Sequence, residues 1–479
     1  MRGNVPAALT RTRPSAAPPF PQVGTELFST LTREADASSA STRDEIHEAF
    51  FRTPQARRRG SGSGASENEA PENAASAAPV ARAVLIDMEP KVVQASLRRA
   101  KRSGRWRYDS ARTLAFQSGS GNNWARGYNT YGPQTRETAL ELVRRETEAC
   151  DHFGGFLLLQ SMAGGTGAGL GAYVAEALRD DYAHAALLNH CVWPHESGEV
   201  IVQSYNTLLT ASALLDVSDG VVVAQNDQLR LTCVKQLGIE RPTFDDMNLV
   251  AAKQIAGVLL PSCRRDARAN GGVLVGAEAL RNGPGVGRRA HLLHDLTRDV
   301  CQHPSARLLS LRQTPVMPDT SVDFTTFTWP ALLKRTRQML LSGATLEEGL
   351  DWGLDPNAPG VGHKRHTKCL AASLFLRGAG ADAADASVLS DPALFPSWAP
   401  SPCAVQWSPG RFDGKEMSCT LLSNCQTPCP PVGRMLARAY QMRAAGAYAH
   451  QYAEHGVGDA EFEQAFGRVE DVLATYRAL

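Results

Sequence analysis

The sequence has no apolar run of membrane-spanning length and no excess of charge of either sign. Its 479 residues include 50 lysines and arginines and 49 aspartates and glutamates. Proteins that bind nucleic acid through bulk charge usually present a basic surface, so we expect no nucleic-acid partner. A membrane helix needs about 20 consecutive apolar residues, so we expect no membrane span. The length is sufficient for a large core divided between two or three domains.

The sequence also lacks the paired cysteine spacing of a zinc site. Its ten cysteines are scattered from Cys150 to Cys429, which is typical of reduced thiols in an intracellular protein. Cys425 and Cys429 are the closest pair, and a single Cys-x₃-Cys is weak evidence for a metal site. We therefore predict ordinary thiols there and a solvated loop at His363–His366.

A glycine-rich turn, Ser161–Gly171, is the most informative segment that is present. It follows an apolar strand predicted at Phe156–Leu159 and precedes a helix predicted at Ala172–Leu178. Glycines between a strand and a helix let several backbone N–H groups converge at the positive end of the helix, an arrangement that favours phosphate. No Gly-Lys-Ser/Thr follows, so this is not a Walker A loop. The spacing also differs from the GxGxxG of dinucleotide-binding folds.

Further polar loops follow apolar segments along the chain. Strands are predicted at Ala83–Ile86, Leu114–Phe116, Val200–Val202 and Val221–Ala224, each followed by a polar or glycine-rich loop. Asp87 and Glu89 come after the first, and two carboxylates at a strand end can hold a hydrated Mg²⁺. Strands that alternate with helical stretches predict an α/β fold with a doubly wound parallel sheet, which binds ligands beyond the carboxyl ends of its strands.

These loops resemble those of the tubulin family. The segment AGGTGAG is similar to the tubulin phosphate loop, usually GGGTGSG, and DMEP, GSGNNWARGY and EVIVQSYN are similar to its flanking loops. Within the family the details resemble the delta branch more than the alpha and beta branches. The strings ARAVLIDMEPKV, GEVIVQSYNTLLT and AYAHQYAEHGVGDAEFEQAF are examples. The resemblance covers roughly residues 80–479, with a weaker match at 22–52, and implies the tubulin fold with GTP/GDP and Mg²⁺ as ligands.

The resemblance assigns site residues one by one. Phosphate contacts fall on two loops, with alanine at two positions of the second: Gly119, Ser120, Gly121, Asn122, Asn123, and Ala163, Gly164, Gly165, Thr166, Gly167, Ala168, Gly169. Gln22 matches the position just after another phosphate loop of the family, the GQCGN-type loop near the N-terminus. Guanine recognition is expected from Asn226 and Asn248, because an amide offers both a donor and an acceptor. Phe244 would stack on the base, although core packing is nearly as good an interpretation. Ribose and base contacts are expected from Glu199, Gln203 and Asn206, and indirect Mg²⁺ ligands are Asp87 and Glu89. Either carboxylate could instead cap a local turn.

Hydrolysis in this family uses an acid from the next subunit, on the segment after the core helix. Asp295 matches one acidic position, but Arg298 stands where the catalytic glutamate of alpha-tubulin would be. Arginine cannot accept a proton at neutral pH. Asp299 is the next residue after Arg298, and on a helix its side chain points about 100° further around the axis. The candidate catalytic acids are therefore Asp295 and Asp299, and the sequence predicts a weak or absent GTPase completed in trans.

Eight segments are expected along the chain. They are residues 1–21, disordered or wrongly annotated; 22–59, part of the first helix region; 60–79, a flexible linker; 80–243, the GTP-binding domain; 244–260, the core helix; 261–291, a loop insertion; 292–400, an intermediate domain; and 401–479, a C-terminal helical region. Two helices, Ala437–His455 and Asp459–Thr475, are predicted in the last, with a break at Gly456 and Gly458. No acidic tail like that of alpha- and beta-tubulin follows.

The N-terminal segment departs from the family pattern. Residues 1–21 contain several prolines, three arginines and no acidic residue, which indicates disorder more than a transit peptide. The first core strand and the GQCGN-type phosphate loop of the family are not recognisable there. Either the start of the gene model is wrong, which we favour because losing a central strand should damage the sheet, or the chain has lost part of its nucleotide site.

The resemblance implies a GTP-binding structural protein of the cytoplasm and cytoskeleton. It implies work at centrioles, basal bodies and cilia, with other tubulins and centriolar proteins as partners. One alternative is a nucleotide-dependent enzyme on a Rossmann-like sheet. The other is a tubulin-fold protein that binds partners and no longer binds nucleotide, an interpretation favoured by the missing first loop.

Overall fold

A computed structural model of the protein describes eight segments of the chain. They are residues 7–11, 21–52, 78–116, 119–198, 200–265, 292–356, 366–399 and 402–479. Our predictions for the linker at 60–77, for most of the loop insertion (266–291), for His363 and for Glu199 lie outside the described residues.

Thirteen strands occur in the described segments. They are β1 Ala7–Arg11, β2 Phe51–Arg52, β3 Val80–Ala81, β4 Ala83–Asp87, β5 Thr113–Ala115, β6 Phe156–Ser161, β7 Leu187–Trp193, β8 Gly220–Gln225, β9 Cys263–Arg264, β10 Leu308–Thr314, β11 Cys369–Gly378, β12 Cys403–Ser408 and β13 Met417–Cys425. Eleven form one sheet in the order β5-β4-β1-β6-β7-β8-β10-β13-β11-β12-β9, and β2 pairs with β3. In the run β5-β4-β1-β6-β7-β8-β10 each strand is parallel to the next one, so the carboxyl ends of these seven strands lie along one edge.

Fourteen α-helices accompany these strands in the same segments. They are α1 Pro21–Ala37, α2 Ala40–Phe50, α3 Pro90–Arg102, α4 Gly132–Thr147, α5 Gly171–Asp181, α6 Gln203–Val217, α7 Asn226–Leu231, α8 Phe244–Leu259, α9 Leu292–Val300, α10 Asp319–Val322, α11 Trp329–Ser342, α12 Cys429–Ala444, α13 Ala449–Ala453 and α14 Asp459–Arg477. Within the described ranges, none of these is both long and apolar enough to cross a membrane.

Alternating side chains of the central strands fill two cores, one on each face of the sheet. In β6, Leu157 and Leu159 pack in the core that contains α1, α8 and α9. Phe156 and Leu158 pack on the opposite face with α5, α6 and α14. This alternation is the period-2 pattern of a strand covered on both sides, as the doubly wound prediction requires. A third core lies between α11 and the strands β11 and β13.

The core helix α8 spans Phe244–Leu259, within the range 244–260 expected for it. Its start is fixed by a capping box, in which the backbone N–H of Thr243 donates to Asp246 Oδ2 at 2.7 Å. The strands predicted around Phe156, Ala83 and Val221 and the helix after Gly171 are also confirmed.

Several predictions about local structure are wrong. Ala7–Arg11 form a strand that pairs in parallel with β4 and β6, so the first core strand is present. Residues 200–202 form a turn before α6, and the strand of this region is Leu187–Trp193. The first C-terminal helix begins at Cys429 and ends at Ala444, because Gly446 and Tyr448 adopt positive φ. In the predicted C-terminal helical region, β12 and β13 of the sheet come before the helices, starting at Cys403.

Candidate functional site

Two glycine-rich loops, after β5 and β6, pack directly against each other. A Cβ on Gly165 would lie 2.3 Å from Ser120 Oγ and 2.5 Å from the carbonyl oxygen of Asn123. A Cβ on Gly169 would lie 2.2 Å from the carbonyl oxygen of Trp124. Only glycine fits at such distances, so these two glycines are required for the approach of one backbone to the other.

The loop after β6 continues into helix without a gap. Thr166–Leu170 form a π-helical turn at the start of α5, and the N–H of Gly169 donates to the carbonyl of Gly165 at 2.8 Å. Thr166 Oγ1 lies 3.2 Å from Ser120 Oγ of the other loop. The predicted strand, glycine turn and helix are therefore present, with a helix N-terminus directed at the loop.

Asn206 in the first turn of α6 forms hydrogen bonds with both loops and so holds them together. Its Nδ2 donates to the carbonyl oxygens of Asn122 at 2.7 Å and Ala163 at 2.8 Å. Its Oδ1 accepts the N–H of Trp124 at 3.0 Å and the hydroxyl of Tyr452 at 2.6 Å. A carboxamide has two donors and two acceptor lone pairs, so its capacity is filled by protein. In this structure the Asn206 side chain contacts the two loops, and its predicted contact with ribose or base stays a prediction.

The C-terminal helix α13 also holds the loop after β5. Asn123 Nδ2 donates to the carbonyl of Gln451 at 2.8 Å, so its amide is directed at α13 rather than at a phosphate. Burial raises the pKa of Tyr452 well above its ordinary value, which keeps the hydroxyl protonated as a donor to Asn206. The loop conformation therefore depends on a segment some 330 residues further along the chain.

The residues predicted to recognise guanine lie at the same edge. Asn226 is the first residue of α7, immediately after β8, and Asn248 lies in the second turn of α8. Asn248 Nδ2 donates to Gln22 Oε1 at 3.2 Å, so two predicted site residues from α8 and α1 come together. Phe244 is half-buried and packs partly against the core, in agreement with both interpretations of that ring.

Another set of hydrogen bonds holds the loop after β7 in place. Asp227 Oδ1 lies 2.7 Å from His195 Nδ1, and its Oδ2 accepts the N–H of Glu196 at 2.9 Å. Gln203 Nε2 donates to the carbonyl of His195 at 2.8 Å, and its Oε1 accepts the N–H of Val200 at 3.3 Å. The amide of Gln203, predicted to contact ribose, thus closes this loop.

The two predicted Mg²⁺ carboxylates lie at this edge, with Asp87 as the last residue of β4 and Glu89 two residues further on. Asp87 is fully buried, and its Oδ1 accepts the N–H of Glu89 at 2.9 Å, so it caps the local turn. No cluster of three or more potential ligand side chains is found in the segments that the structure describes. Two carboxylates fit a Mg²⁺ that keeps most of its waters and is held mainly by phosphate oxygens, and they do not fit a cage built by protein alone.

Comparison with known proteins identifies the family of this arrangement. The model of the Tubulin/FtsZ family, GTPase domain, matches residues 22–234. The tubulin delta chain of Macaca fascicularis is 37% identical over 466 residues, covering 95% of this chain and 96% of the relative. The tubulin delta chain of Mus musculus is also 37% identical, covering 96% and 97%. The chain belongs to the tubulin family. A tubulin beta-1 chain, from Chondrus crispus, is only 25% identical over 405 residues, so the resemblance to the delta branch is confirmed.

In this tubulin-family cytoskeletal protein, the predicted catalytic acids lie at the opposite edge of the sheet. Helix α9 lines a cavity with Ala186 and Asp219, which precede β7 and β8. Asp295 is partly buried and pairs with Arg298 at 3.2 Å. Asp299 is buried, and both its oxygens lie 2.8 Å from Arg264 Nη1. In this structure Asp299 therefore pairs within its own chain, and its assignment as an acid for a neighbouring subunit stays a prediction.

Sequence reasoning missed the residues that hold this tubulin-family site together. His195, Asp227 and Tyr452 contact loops from other elements, and the sequence does not show which loops their side chains reach. The position of Asp227 next to Asn226, at the end of a predicted strand, is the one feature that could have indicated a role at this edge.

Proposed function

We propose that this tubulin-family chain binds GTP at the edge where the loops after β4, β5, β6, β7 and β8 meet. The observation that carries the proposal is the contact between the two glycine-rich loops, held by Asn206 at one point of a parallel sheet. Ligands of such sheets bind beyond the carboxyl ends of the strands. The phosphates would lie on backbone N–H groups of Gly119–Asn123 and Gly164–Gly169, at the N-terminus of α5.

The base would be recognised by the side chains of Asn226 and Asn248. Both are buried; Asn226 begins α7 immediately after β8, and Asn248 lies in the second turn of α8. A carboxamide can both accept from the guanine N1–H and N2–H groups and donate to O6, whereas adenine presents a different pattern. Phe244 would stack on the base, and Asp87 and Glu89 would hold the waters of a Mg²⁺ that neutralises phosphate charge.

Hydrolysis by a chain with these residues would be slow. Arg298 projects from α9 with a side chain 60% exposed, at the position where the family supplies a carboxylate to the next subunit. Its neighbour Asp295 is paired with it, and Asp299 is buried. A longitudinal partner that supplies its own acid could still complete the site of this chain.

The similarity to tubulin delta chains supports a role in the cytoskeleton at centrioles, basal bodies and cilia, with other tubulins and centriolar proteins as partners. A tagged chain in ciliated cells should co-localise with basal-body markers, and loss of the chain should reduce triplet microtubules. A diffuse distribution with normal triplets would contradict this role.

The nucleotide proposal is tested by fluorescence titration of the chain with GTP and ATP analogues. We expect selective binding of the guanine analogue. Asn226→Ala should weaken the binding of the guanine analogue by about 1–3 kcal/mol, because polar groups of the base lose their hydrogen bonds to the Asn226 amide. Thr475→Ala, a change at a partly exposed position on α14, is the matched control and should leave affinity unchanged. Equal affinity for both analogues would contradict guanine recognition. Binding of neither would favour a tubulin-fold protein that acts through partners alone.

A further inference from the structure

A buried arginine on β10 has no carboxylate partner among the described residues. Arg312 is 1% exposed, and its Nε donates to the carbonyl of Ala344 at 2.8 Å. Its Nη1 donates to Ser310 and Ser423 hydroxyls at 2.8 Å, and its Nη2 donates to Thr427 Oγ1 at 2.6 Å. An uncompensated charge in a protein interior is costly, so this guanidinium requires an anion nearby.

The sulfur of Cys425 is in the position of that anion. It lies 3.8 Å from Arg312 Nη1 and 4.0 Å from Nη2, at the end of β13. Three hydroxyls surround it, on Ser310 at 3.3 Å, Thr427 at 3.3 Å and Ser423 at 3.5 Å. The Ser310 and Ser423 hydroxyls each accept a hydrogen bond from Arg312 Nη1, so their own protons are available to donate to sulfur. The contact with Thr427 has the sulfur as the donor to Oγ1, in the thiol form of Cys425. Hydrogen bonds to the charged form favour that form.

Electrostatics agrees with the geometry. Burial alone would raise the pKa of the Cys425 thiol, but Arg312 and the three hydroxyls outweigh it, and the pKa is lowered from its ordinary value. The other titratable groups that face this sulfur are Cys369, Cys429 and Tyr476, and burial raises the pKa of each. They stay neutral around pH 7, so they do not compete for Arg312.

A second thiol faces Cys425 across the ladder. Cys369 on β11 is its partner in the antiparallel register, and both side chains lie in the same buried core. Directly opposite residues in such a ladder have Cα atoms about 4.5–5.5 Å apart, within the range of roughly 4.4–6.8 Å that a disulfide spans. Neither thiol is disulfide-bonded in this structure.

We propose that Cys425 is a thiolate paired with Arg312 and is an oxidation site of this chain, with Cys369 as its disulfide partner. With hydrogen peroxide, the thiolate attacks one peroxide oxygen and the O–O bond breaks, giving Cys425 sulfenic acid and hydroxide. The Cys369 thiol then attacks the Cys425 sulfur, the S–S bond forms, and the departing oxygen leaves as water with the Cys369 proton. Two sulfurs lose one electron each, and peroxide is reduced to water.

Oxidation would change the junction between the sheet and the C-terminal helices. The disulfide removes the negative charge from Arg312 and leaves the guanidinium without an anion. Cys425 lies four residues before Cys429, the first residue of α12, and Gln426 between them donates to the carbonyl of Tyr476 at 2.7 Å on α14. We therefore expect the oxidised chain to be less stable than the reduced chain.

The ionisation state is tested by thiolate absorbance at 240 nm at pH 7. We expect the folded wild type to lose about one thiolate per chain when it is unfolded in denaturant, because a free cysteine has a pKa of about 8.5. Cys425→Ser should lack this thiolate. Cys419→Ser is the matched control on the same strand and should keep it, since burial raises the pKa of Cys419 to about 12. No loss of thiolate on unfolding of the wild type would overturn the ion pair without requiring any variant to fold.

The oxidation site is tested by peroxide treatment, denaturation, alkylation and peptide mass mapping. We expect a Cys369–Cys425 disulfide in the wild type, and in Cys369→Ser a sulfenic or sulfinic acid at Cys425 without the disulfide. Cys419 should stay reduced in both. A fully reduced Cys425 under conditions that oxidise other cysteines would overturn the proposal, as would a disulfide that joins Cys425 only to Cys429.

Discussion

Replacing Asn206 by alanine should separate the two glycine-rich loops and lower the affinity for GTP. Four hydrogen bonds between 2.6 and 3.0 Å end on this fully buried side chain. Each contributes about 1 kcal/mol net, and the partners on Asn122, Ala163, Trp124 and Tyr452 would be left buried without it. We expect a loss of about 3–4 kcal/mol in the free energy of unfolding. We also expect GTP affinity to fall about tenfold or more, which corresponds to ~1.4 kcal/mol.

Asn424→Ala is the matched control. This asparagine is also fully buried, and it donates to the carbonyls of Val300 at 3.0 Å and Ala306 at 2.7 Å and accepts the hydroxyl of Tyr476 at 2.5 Å. It makes a comparable number of bonds on β13, outside the two glycine-rich loops, so its loss should lower stability without a matching loss of GTP affinity. Both variants are compared by urea unfolding and by titration at a temperature where each is folded. Equal affinity losses in Asn206→Ala and Asn424→Ala would refute the positioning role.

Four further substitutions test the glycine-rich loop after β6, two residues of α9 and a buried histidine. Gly165→Ala should lower stability by about 1–3 kcal/mol in urea unfolding, because its Cβ has no room, whereas Gly467→Ala, on an open helix face, should be neutral or stabilising. Arg298→Glu should raise phosphate release in concentrated protein, and the gain should vanish on dilution if the site forms in trans; fast release by the wild type would contradict this. Asp299→Asn should lower the melting temperature and leave nucleotide turnover unchanged, because the carboxylate pairs with an arginine of the same chain. Burial lowers the pKa of His190 to about 4, so the neutral imidazole stabilises the fold above pH 6.5. We expect the free energy of unfolding to fall by about 3 kcal/mol as the pH falls from 6.5 to 4. This loss should be absent in His190→Gln.

The parts of the fold that could be predicted are those that depend on residues close together in the sequence. The strand Phe156–Ser161, its glycine turn and α5 follow one another within 30 residues, and each has its own composition signal. The core helix Phe244–Leu259 is bounded by a capping threonine before it and Pro261 after it, so both ends were predictable from neighbours in the chain.

The parts that could not be predicted depend on contacts between distant residues. Strand β7 contains Asn189 and His190, which break the apolar pattern, and Asn189 is tolerated only because Gln160 and Ser218 satisfy its amide. The role of Asn206 depends on partners 84, 43 and 246 residues away. A family motif places such a residue at a site without saying whether it contacts the ligand or the loops.

The assignment of N-terminal residues 7–11 shows a further limit. Their sequence, AALTR, is short and carries little apolar signal, yet it occupies the position between β4 and β6. A five-residue strand between two formed parallel strands gains its stability from both neighbours rather than from its own propensity. We therefore expect deletion of residues 1–11 to destabilise the nucleotide half of the chain, which limited proteolysis would detect.

We propose above that this tubulin-family chain carries a guanine nucleotide at the two glycine-rich loops held by Asn206. The most direct test is to purify the wild-type chain in the presence of Mg²⁺, denature it and measure the released nucleotide by chromatography. We expect close to one GTP or GDP per chain, and a clear reduction in Asn226→Ala prepared in parallel. A folded wild-type chain that releases no guanine nucleotide, and binds none when GTP is added, would contradict the account.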